Sequence, residues 1–325
     1  MNDVVLAGDL GGTNLRVAAV DSKGNIVARA EAETPRGQDE SRILAATIEL
    51  AERCSGITGR QPIAFGFAIP AIMSSAEGLI FSSPNLPELD ERDLRGPLSR
   101  SLGLRVVLEN DANAAAVGEH WLGASKGYSS SVCVTLGTGV GGGLIIDGKL
   151  LRGPDGTAGE LGHICVEPLG PPCGCGSNGC LEQYSSATAM VRIARELAVN
   201  FPAAGWTEDV CLDALAIHEH ASEGDPLAKE VFRLAGAYLG LALAGLINVL
   251  NPEAIVIGGG VAQGWELFVG SVKTEIGKRA FREPAERARI FRASLGNDSG
   301  LIGAALLAFN AAKADDVPTA NDSIT

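Results

Sequence analysis

The sequence has no run of lysine or arginine to offset its acidic residues: 26 Lys and Arg stand against 39 Asp and Glu, a formal net charge of −13. A surface of that sign repels nucleic acid phosphates, which argues against DNA or RNA as a partner. No basic stretch precedes the first apolar run, Val4–Ala7, and no cleavage-site pattern accompanies it, so no secretory leader is expected. The longest apolar stretch, Leu234 to Leu250, is interrupted by Gly236, Gly240, Gly245 and Asn248, and reads as a buried helix rather than a membrane span. None of the glycine turns continues as Gly-Lys-Ser/Thr, which disfavours a P-loop. Gly139-x-Gly141 opens no helix and has no acidic strand end after it, so the dinucleotide-binding pattern fails as well. The cytoplasm, without membrane attachment, is the expected compartment.

What remains is a chain of 325 residues, 46% hydrophobic and 20% charged, long enough for two compact lobes. Strands are expected over Val4–Ala7, Leu15–Val20, Ile26–Ala32, Ile63–Ile69 and Leu104–Leu108, with helices over Ser41–Cys54 and Ala112–Leu122. A strand at Val132–Leu136, a glycine loop at Gly137–Gly143 and a strand at Leu144–Ile146 then repeat the opening strand–glycine loop–strand pattern, as an internal duplication would. Helices follow at Ala187–Val199, Leu227–Leu250, Trp265–Arg279 and Gly300–Ala312, with one strand at Ala254–Ile257. The polar, acidic tail after Lys313 reads as disordered.

Three glycine clusters follow strands, at 11–12, 137–143 and 258–260. Glycine lets backbone amides approach phosphate oxygens without a Cβ in the way. Any one cluster is equally well a tight hairpin, but three in one chain, two of them paired with Thr, favour a nucleotide. Asp9, just before the first pair, suits Mg²⁺ held through water; its plain alternative is a turn cap. At Asn110-Asp111-Ala112-Asn113 a strand becomes a helix, and a carboxylate there can accept the proton of an attacking hydroxyl. Helix capping explains the same residues, and the sequence pattern alone favours it over the base role.

Of seven cysteines, three crowd into positions 173–180. His163-x9-Cys173-x-Cys175-x4-Cys180 supplies three thiolates and an imidazole, a tetrahedral Zn²⁺ set with no open position and therefore structural; disulfide pairing is the competing reading. Cys54, Cys133, Cys165 and Cys211 are scattered and are expected in the core. Glu160 and Glu182 flank the cluster, and with His163 they offer polar groups to a ring of sugar hydroxyls.

In this order the motifs resemble one family over nearly the whole chain. Asp9-Leu-Gly-Gly-Thr-Asn14, Asn110-Asp-Ala-Asn113, Leu136-Gly-Thr-Gly-Val-Gly-Gly-Gly143, Glu160-Leu-Gly-His163, the Cys173–Cys180 cluster with Leu181-Glu182, and Ile257-Gly-Gly-Gly260 are similar to those of the ROK family (repressors, open reading frames and kinases), and within it to the bacterial glucokinases. The resemblance implies an α/β, actin-like (ribonuclease H-like) ATPase fold of two lobes with a cleft between them. The small lobe would comprise 1–116 with a helix at 301–313, and the large lobe 117–300 with the zinc site. Asp9, Gly11, Gly12, Thr13 and Asn14 would form the first phosphate loop and Gly137, Thr138, Gly139 and Gly141 the second, with Gly258, Gly259 and Gly260 beside the adenosine. Asp111 would be the catalytic base, and Asn85, Asn110, Glu160, His163 and Glu182 would bind the sugar. ATP with Mg²⁺ would be the donor and a hexose the acceptor, glucose first, with N-acetylmannosamine, N-acetylglucosamine, mannose and fructose as rivals. A non-catalytic, sugar-sensing regulator is the reading from a different class. Family members commonly form homodimers or homotetramers. One departure stands out: Ala71 follows Ile69-Pro70 where the family usually has Gly, and its methyl matters if the backbone there adopts positive φ.

Overall fold

A computed structural model describes residues 3–37, 39–74, 77–201 and 212–314. In chain order the strands and helices are β1 (Val4–Leu10), β2 (Asn14–Asp21), β3 (Ile26–Glu33), α1 (Glu40–Thr58), β4 (Ala64–Ile69), β5 (Ile72–Ser74), β6 (Leu79–Ser82), α2 (Arg95–Leu102), β7 (Arg105–Asn110) and α3 (Asp111–Trp121). They continue with β8 (Ser131–Leu136), β9 (Val140–Ile146), β10 (Lys149–Leu150), α4 (Glu182–Ser185), α5 (Ala187–Leu197), α6 (Ala214–Glu223) and α7 (Pro226–Leu250). Last come β11 (Ala254–Gly258), α8 (Trp265–Arg279), α9 (Arg282–Arg287), β12 (Arg289–Arg292) and α10 (Ser299–Ala314). Two compact units result: 1–126 with 150–158 and 297–325, and 127–149 with 159–296.

Each unit is built on a five-stranded sheet, and the two sheets share one topology. The orders are β3-β2-β1-β4-β7 and β10-β9-β8-β11-β12. In both, an antiparallel hairpin (β1/β2, β8/β9) is followed by strands that pair in parallel, β1 with β4 and β8 with β11. This repeated order is the structural form of the duplication expected from the sequence. One element differs from expectation: Gly141–Gly143 lie inside β9, paired with Thr135, Val134 and Cys133, and the glycine loop proper is only Gly137–Gly139. The reason is packing, since a β-carbon on Gly142 would run into the Leu161 side chain, so glycine here admits a neighbour rather than making a turn.

In the first unit, β1 and β4 are apolar almost throughout because both sheet faces are covered, while β7, at the sheet edge, carries Arg105, Glu109 and Asn110. Phe65 and Phe67 stack with 5.4 Å between ring centroids in the core under α1. The other face takes α3 and α10, where Gly66, Gly118 and Gly303 let backbones meet. In the second unit α7 lies along α8, and glycine again sets the spacing: a β-carbon on Gly236 would stand 2.5 Å from the Phe268 carbonyl oxygen, and one on Gly240 2.6 Å from that of Val272. Thus two of the three glycines that interrupt the apolar run of α7, Gly236 and Gly240, seat it against its neighbour, while nothing lies within 4 Å of a β-carbon on Gly245. It is the one helix among the described residues long and apolar enough to cross a membrane, but Leu239, Leu243 and Ile247 are buried in the unit's core.

Cys54 and Cys133 are core residues as expected. Cys165 is not: it is exposed, although Cys180, its partner in an isolated antiparallel bridge, is buried. Cys211 and the tail from 315 lie outside the described residues.

Candidate active site and metal centre

The first candidate loop is the β1/β2 turn. Asp9, next to last in β1, stands directly opposite Arg16, and the two side chains form an ion pair. Burial pushes the Asp9 carboxyl above its ordinary value, Arg16 draws it back down, and Asp298 adds a further upward push. The loop itself is tied by Gly11 N–H donating to the Asn14 carbonyl at 2.8 Å, and by Thr34, whose hydroxyl donates to the Gly11 carbonyl at 2.7 Å. Gly300, at the start of α10, has no side chain to spare: a β-carbon there would lie 3.3 Å from the Asp9 carboxyl carbon. Asn85 belongs to the same neighbourhood, its Cβ 4.0 Å from where a Gly12 β-carbon would stand.

Asn110 and Asp111 mark the end of β7, two strands along from β1, so Asp9 and Asn110 stand at the same, C-terminal edge of the parallel run β1-β4-β7. Capping of α3 falls to Asn110, whose side-chain oxygen accepts from the amides of Ala112 (2.9 Å) and Asn113 (3.0 Å). The Asp111 carboxylate accepts from the Ala112 amide as well, at 2.9 Å. Asn110 Nδ2 donates to the Ala71 carbonyl at 3.2 Å, which gives the Ala71 segment a role as support for this turn. Ala71 is buried and is not among the residues with positive φ, so its methyl is accommodated in the core without backbone strain.

In the second unit the Gly137–Gly139 turn ends β8 and Gly258 ends β11, again neighbouring strand ends. The Gly137 carbonyl accepts from Ala187 N–H, and the Thr138 carbonyl from the Thr188 hydroxyl, both at 2.8 Å, so the start of α5 braces the turn. Gly259 has φ +86°, and a β-carbon on it would overlap the Leu136 carbonyl, so only glycine serves there. A pocket of about 360 Å³ opens beside Gly137, Thr138 and Gly260 and is walled by Met190, His218 and Phe232 from α5, α6 and α7. No sequence signal points to these wall residues, which carry no motif and come from three helices.

Glu182 meets the same turn from below: its Oε2 accepts from Val140 N–H at 3.1 Å and occupies the space a Gly139 side chain would need. Glu160 sits near both partners expected of it. Its Oε2 is 4.0 Å from His163 Nε2; burial raises its carboxyl, the imidazole lowers it, and the Glu182 charge raises it again. Glu160 and His163 are therefore neighbours, and the charge of Glu182 reaches Glu160.

His163 also belongs to the metal-ligand set. The ligand atoms of His163, Cys173, Cys175 and Cys180 all lie within 4.8 Å of one another, with Nδ1 3.5 Å from the Cys173 sulfur and the Cys175 and Cys180 sulfurs 3.6 Å apart. The loop closes through Cys173 N–H to the Ser177 carbonyl (2.8 Å) and through Gly176 and Gly179, both at positive φ. Burial and the neighbouring sulfurs push the Cys180 thiol up to about 12, while the Ser177 amide lowers Cys175. Four electron-rich atoms gathered this closely, with no protein cation among them, fit a bound metal ion well. His163 thus turns Nδ1 to the sulfurs and Nε2 to Glu160.

The profile of the ROK family matches residues 5–311. A glucokinase of Thermotoga maritima is 34% identical over 307 residues, covering 91% of this chain and 94% of its own. A glucokinase of Halalkalibacterium halodurans is 38% identical over 304 residues, covering 91% and 92%. Among solved structures, a ROK family glucokinase from Streptomyces griseus in complex with glucose and AMPPNP superposes with a TM-score of 0.81 at 35% identity, covering 94% of this chain and 99% of that one.

Proposed function

The chain belongs to the ROK family and has the actin-like α/β fold of its kinases, and on that premise we propose that it is an ATP-dependent kinase transferring the γ-phosphate to the C6 hydroxyl of glucose. The observation that carries the reading is the grouping of Glu160, His163 and Glu182 beside the metal-ligand cluster, with Glu182 bonded to the second glycine turn. Two carboxylates and an imidazole held together are suited to several adjacent hydroxyls, the pattern a pyranose presents.

Asn85, Asn110, Glu160, His163 and Glu182 bind the sugar. Asp111 accepts the proton of the C6 hydroxyl as that oxygen attacks the γ-phosphorus in line. The turns Gly11–Asn14 and Gly137–Gly139 take the phosphates, and Gly141, at the start of β9, supports that second turn. Gly258–Gly260 and the pocket beside them take the adenosine. Mg²⁺, when bound with ATP, supplies charge neutralisation on the transferring phosphoryl group, and Asp9 is the residue that would hold it through water. Zn²⁺ suits the His163, Cys173, Cys175 and Cys180 set, where four protein ligands leave no open position, so its part is to fix the loop and the His163 ring. The lobe division, a cytoplasmic location and a homodimeric or homotetrameric state belong to the same proposal.

The test is a coupled assay of ADP release with Mg-ATP across glucose, mannose, fructose, N-acetylglucosamine and N-acetylmannosamine. Preference for glucose is expected. Preference for an amino sugar would move the substrate and keep the mechanism, and sugar binding without ADP release would favour a sensor.

A further inference from the structure

Glu109 is the penultimate residue of β7, and only 1% of it is exposed. A carboxylate is costly in such a place unless both oxygens are satisfied. They are: Oε1 accepts from the Asn110 amide (3.2 Å) and from Asn113 Nδ2 (3.1 Å), and Oε2 accepts from Arg152 Nε at 2.7 Å.

Asn110 alone already caps α3, so the first turn of that helix does not need Glu109 for its orphan amides. What Glu109 adds is a hold on the residue before Asp111 and on the residue two after it. The peptide plane entering Asn110 and the Asn113 side chain in the first turn of α3 are thereby fixed to one carboxylate, one on each side of Asp111. Arg152, which fixes that carboxylate in turn, arrives by an unusual route. Residues 150–158 group with the first unit although the chain on either side of them, 127–149 and 159–296, forms the second. That excursion is shaped for its purpose. Gly153 and Gly156 take positive φ, the Ala158 amide closes onto the Arg152 carbonyl at 2.9 Å, and Asp155 accepts from the amide and hydroxyl of Thr157. Its charged contribution to the first unit's interior is the Arg152 guanidinium.

We propose that Arg152 is a positioning residue for phosphoryl transfer: acting through Glu109, it sets where Asn110 and Asp111 stand. This rests on the reading of Asp111 as the base. A misplacement of about 1 Å in a reacting group can cost on the order of a hundredfold in rate, so a distant ion pair that holds such a group is felt in kcat.

The experiment compares wild type, R152M, E109Q and the double variant in steady-state kinetics with glucose and Mg-ATP, alongside thermal unfolding. R152M is expected to lower kcat by at least about tenfold while KM for ATP stays within about twofold. E109Q placed in the same chain is expected to recover part of that loss, because the glutamine carbonyl still accepts from Asn110 and Asn113 and leaves no unpaired buried charge. Wild-type kcat in R152M, with only a lowered unfolding temperature, would mean that the pair merely stabilises the unit and would overturn the proposal. So would a double variant as slow as R152M. Should R152M not fold, R152K, which keeps the charge and loses the planar Nε–H, takes its place with the same expected loss, and wild-type kcat there overturns the proposal equally. A wild-type chain that phosphorylates no sugar would remove the kinase reading itself, and this inference with it.

Discussion

Gly303 on α10 faces the Ala114 carbonyl of α3 so closely that a β-carbon on it would overlap the oxygen. Gly118 meets the Ser299 carbonyl in the same way, and Gly66 of β4 meets that of Ala304, so helix, helix and strand touch backbone to backbone. Because α3 begins with Asp111, this contact also determines where the proposed base is carried.

Gly303→Ala is therefore expected to destabilise the protein by about 1–3 kcal/mol through overpacking, read as a lowered denaturant midpoint, and to reduce turnover. Gly277→Ala serves as the control. That glycine is on an exposed face of α8 with nothing near its missing side chain, so the substitution should stabilise by about 0.5–1 kcal/mol. Equal effects at the two sites would contradict the packing argument.

Asp111→Ala should reduce turnover by about 10²–10⁴-fold, the usual worth of a general base, while glucose binding measured by calorimetry survives. Near-normal turnover would take the base role away from Asp111.

Metal analysis of purified protein should find about one zinc per chain, the content of one four-ligand site. Cys175→Ser is expected to lower both the zinc content and the unfolding temperature. A metal-free wild type with full activity and unchanged stability would show that the cluster is not a metal site.

Glu253 gives a pH-dependent prediction. The Ser129 hydroxyl and the Ser130 and Ser129 amides donate to its carboxylate and hold it below its ordinary value of 4.5. A carboxyl lowered on folding stabilises the folded state above its unfolded-state pKa, and that contribution disappears as pH falls through the lower, folded value. Wild type should thus unfold at a higher temperature than E253Q at pH 7, with the difference shrinking below pH 4.5. A difference that stays constant with pH would exclude the linkage.

The hairpins and long helices were legible in the sequence because their apolar periodicity is bounded by strong turn signals, such as Asp21-Ser22-Lys23-Gly24. The metal-ligand cluster was legible because its four residues lie within one short stretch. The glycine run at 137–143 misled, since composition cannot distinguish a glycine that turns the chain from one, like Gly142, that admits a leucine. The short elements β5, β6, α6 and β12 offer too few residues to establish a period. Least legible were relationships across the sequence. Glu182 reaches the Val140 amide 42 positions away, and Arg152 reaches Glu109 across 43. Cys165 was misjudged because a scattered cysteine carries no pattern that says whether the loop around it is covered.

The fold of the first unit also has a consequence for biosynthesis. Strands β1, β4 and β7 leave the ribosome early, yet the helix that lies against all three, α10, is encoded at the far end of the described chain. Nascent β1–β7 must therefore wait through the translation of some two hundred further residues, roughly 10–40 s at 5–20 residues per second, with α3 alone on the sheet face that α10 later covers. The later-made unit has all its strands and helices between 127 and 296, so it is complete before the earlier one. Of the two units, the one begun first is thus the last to be closed.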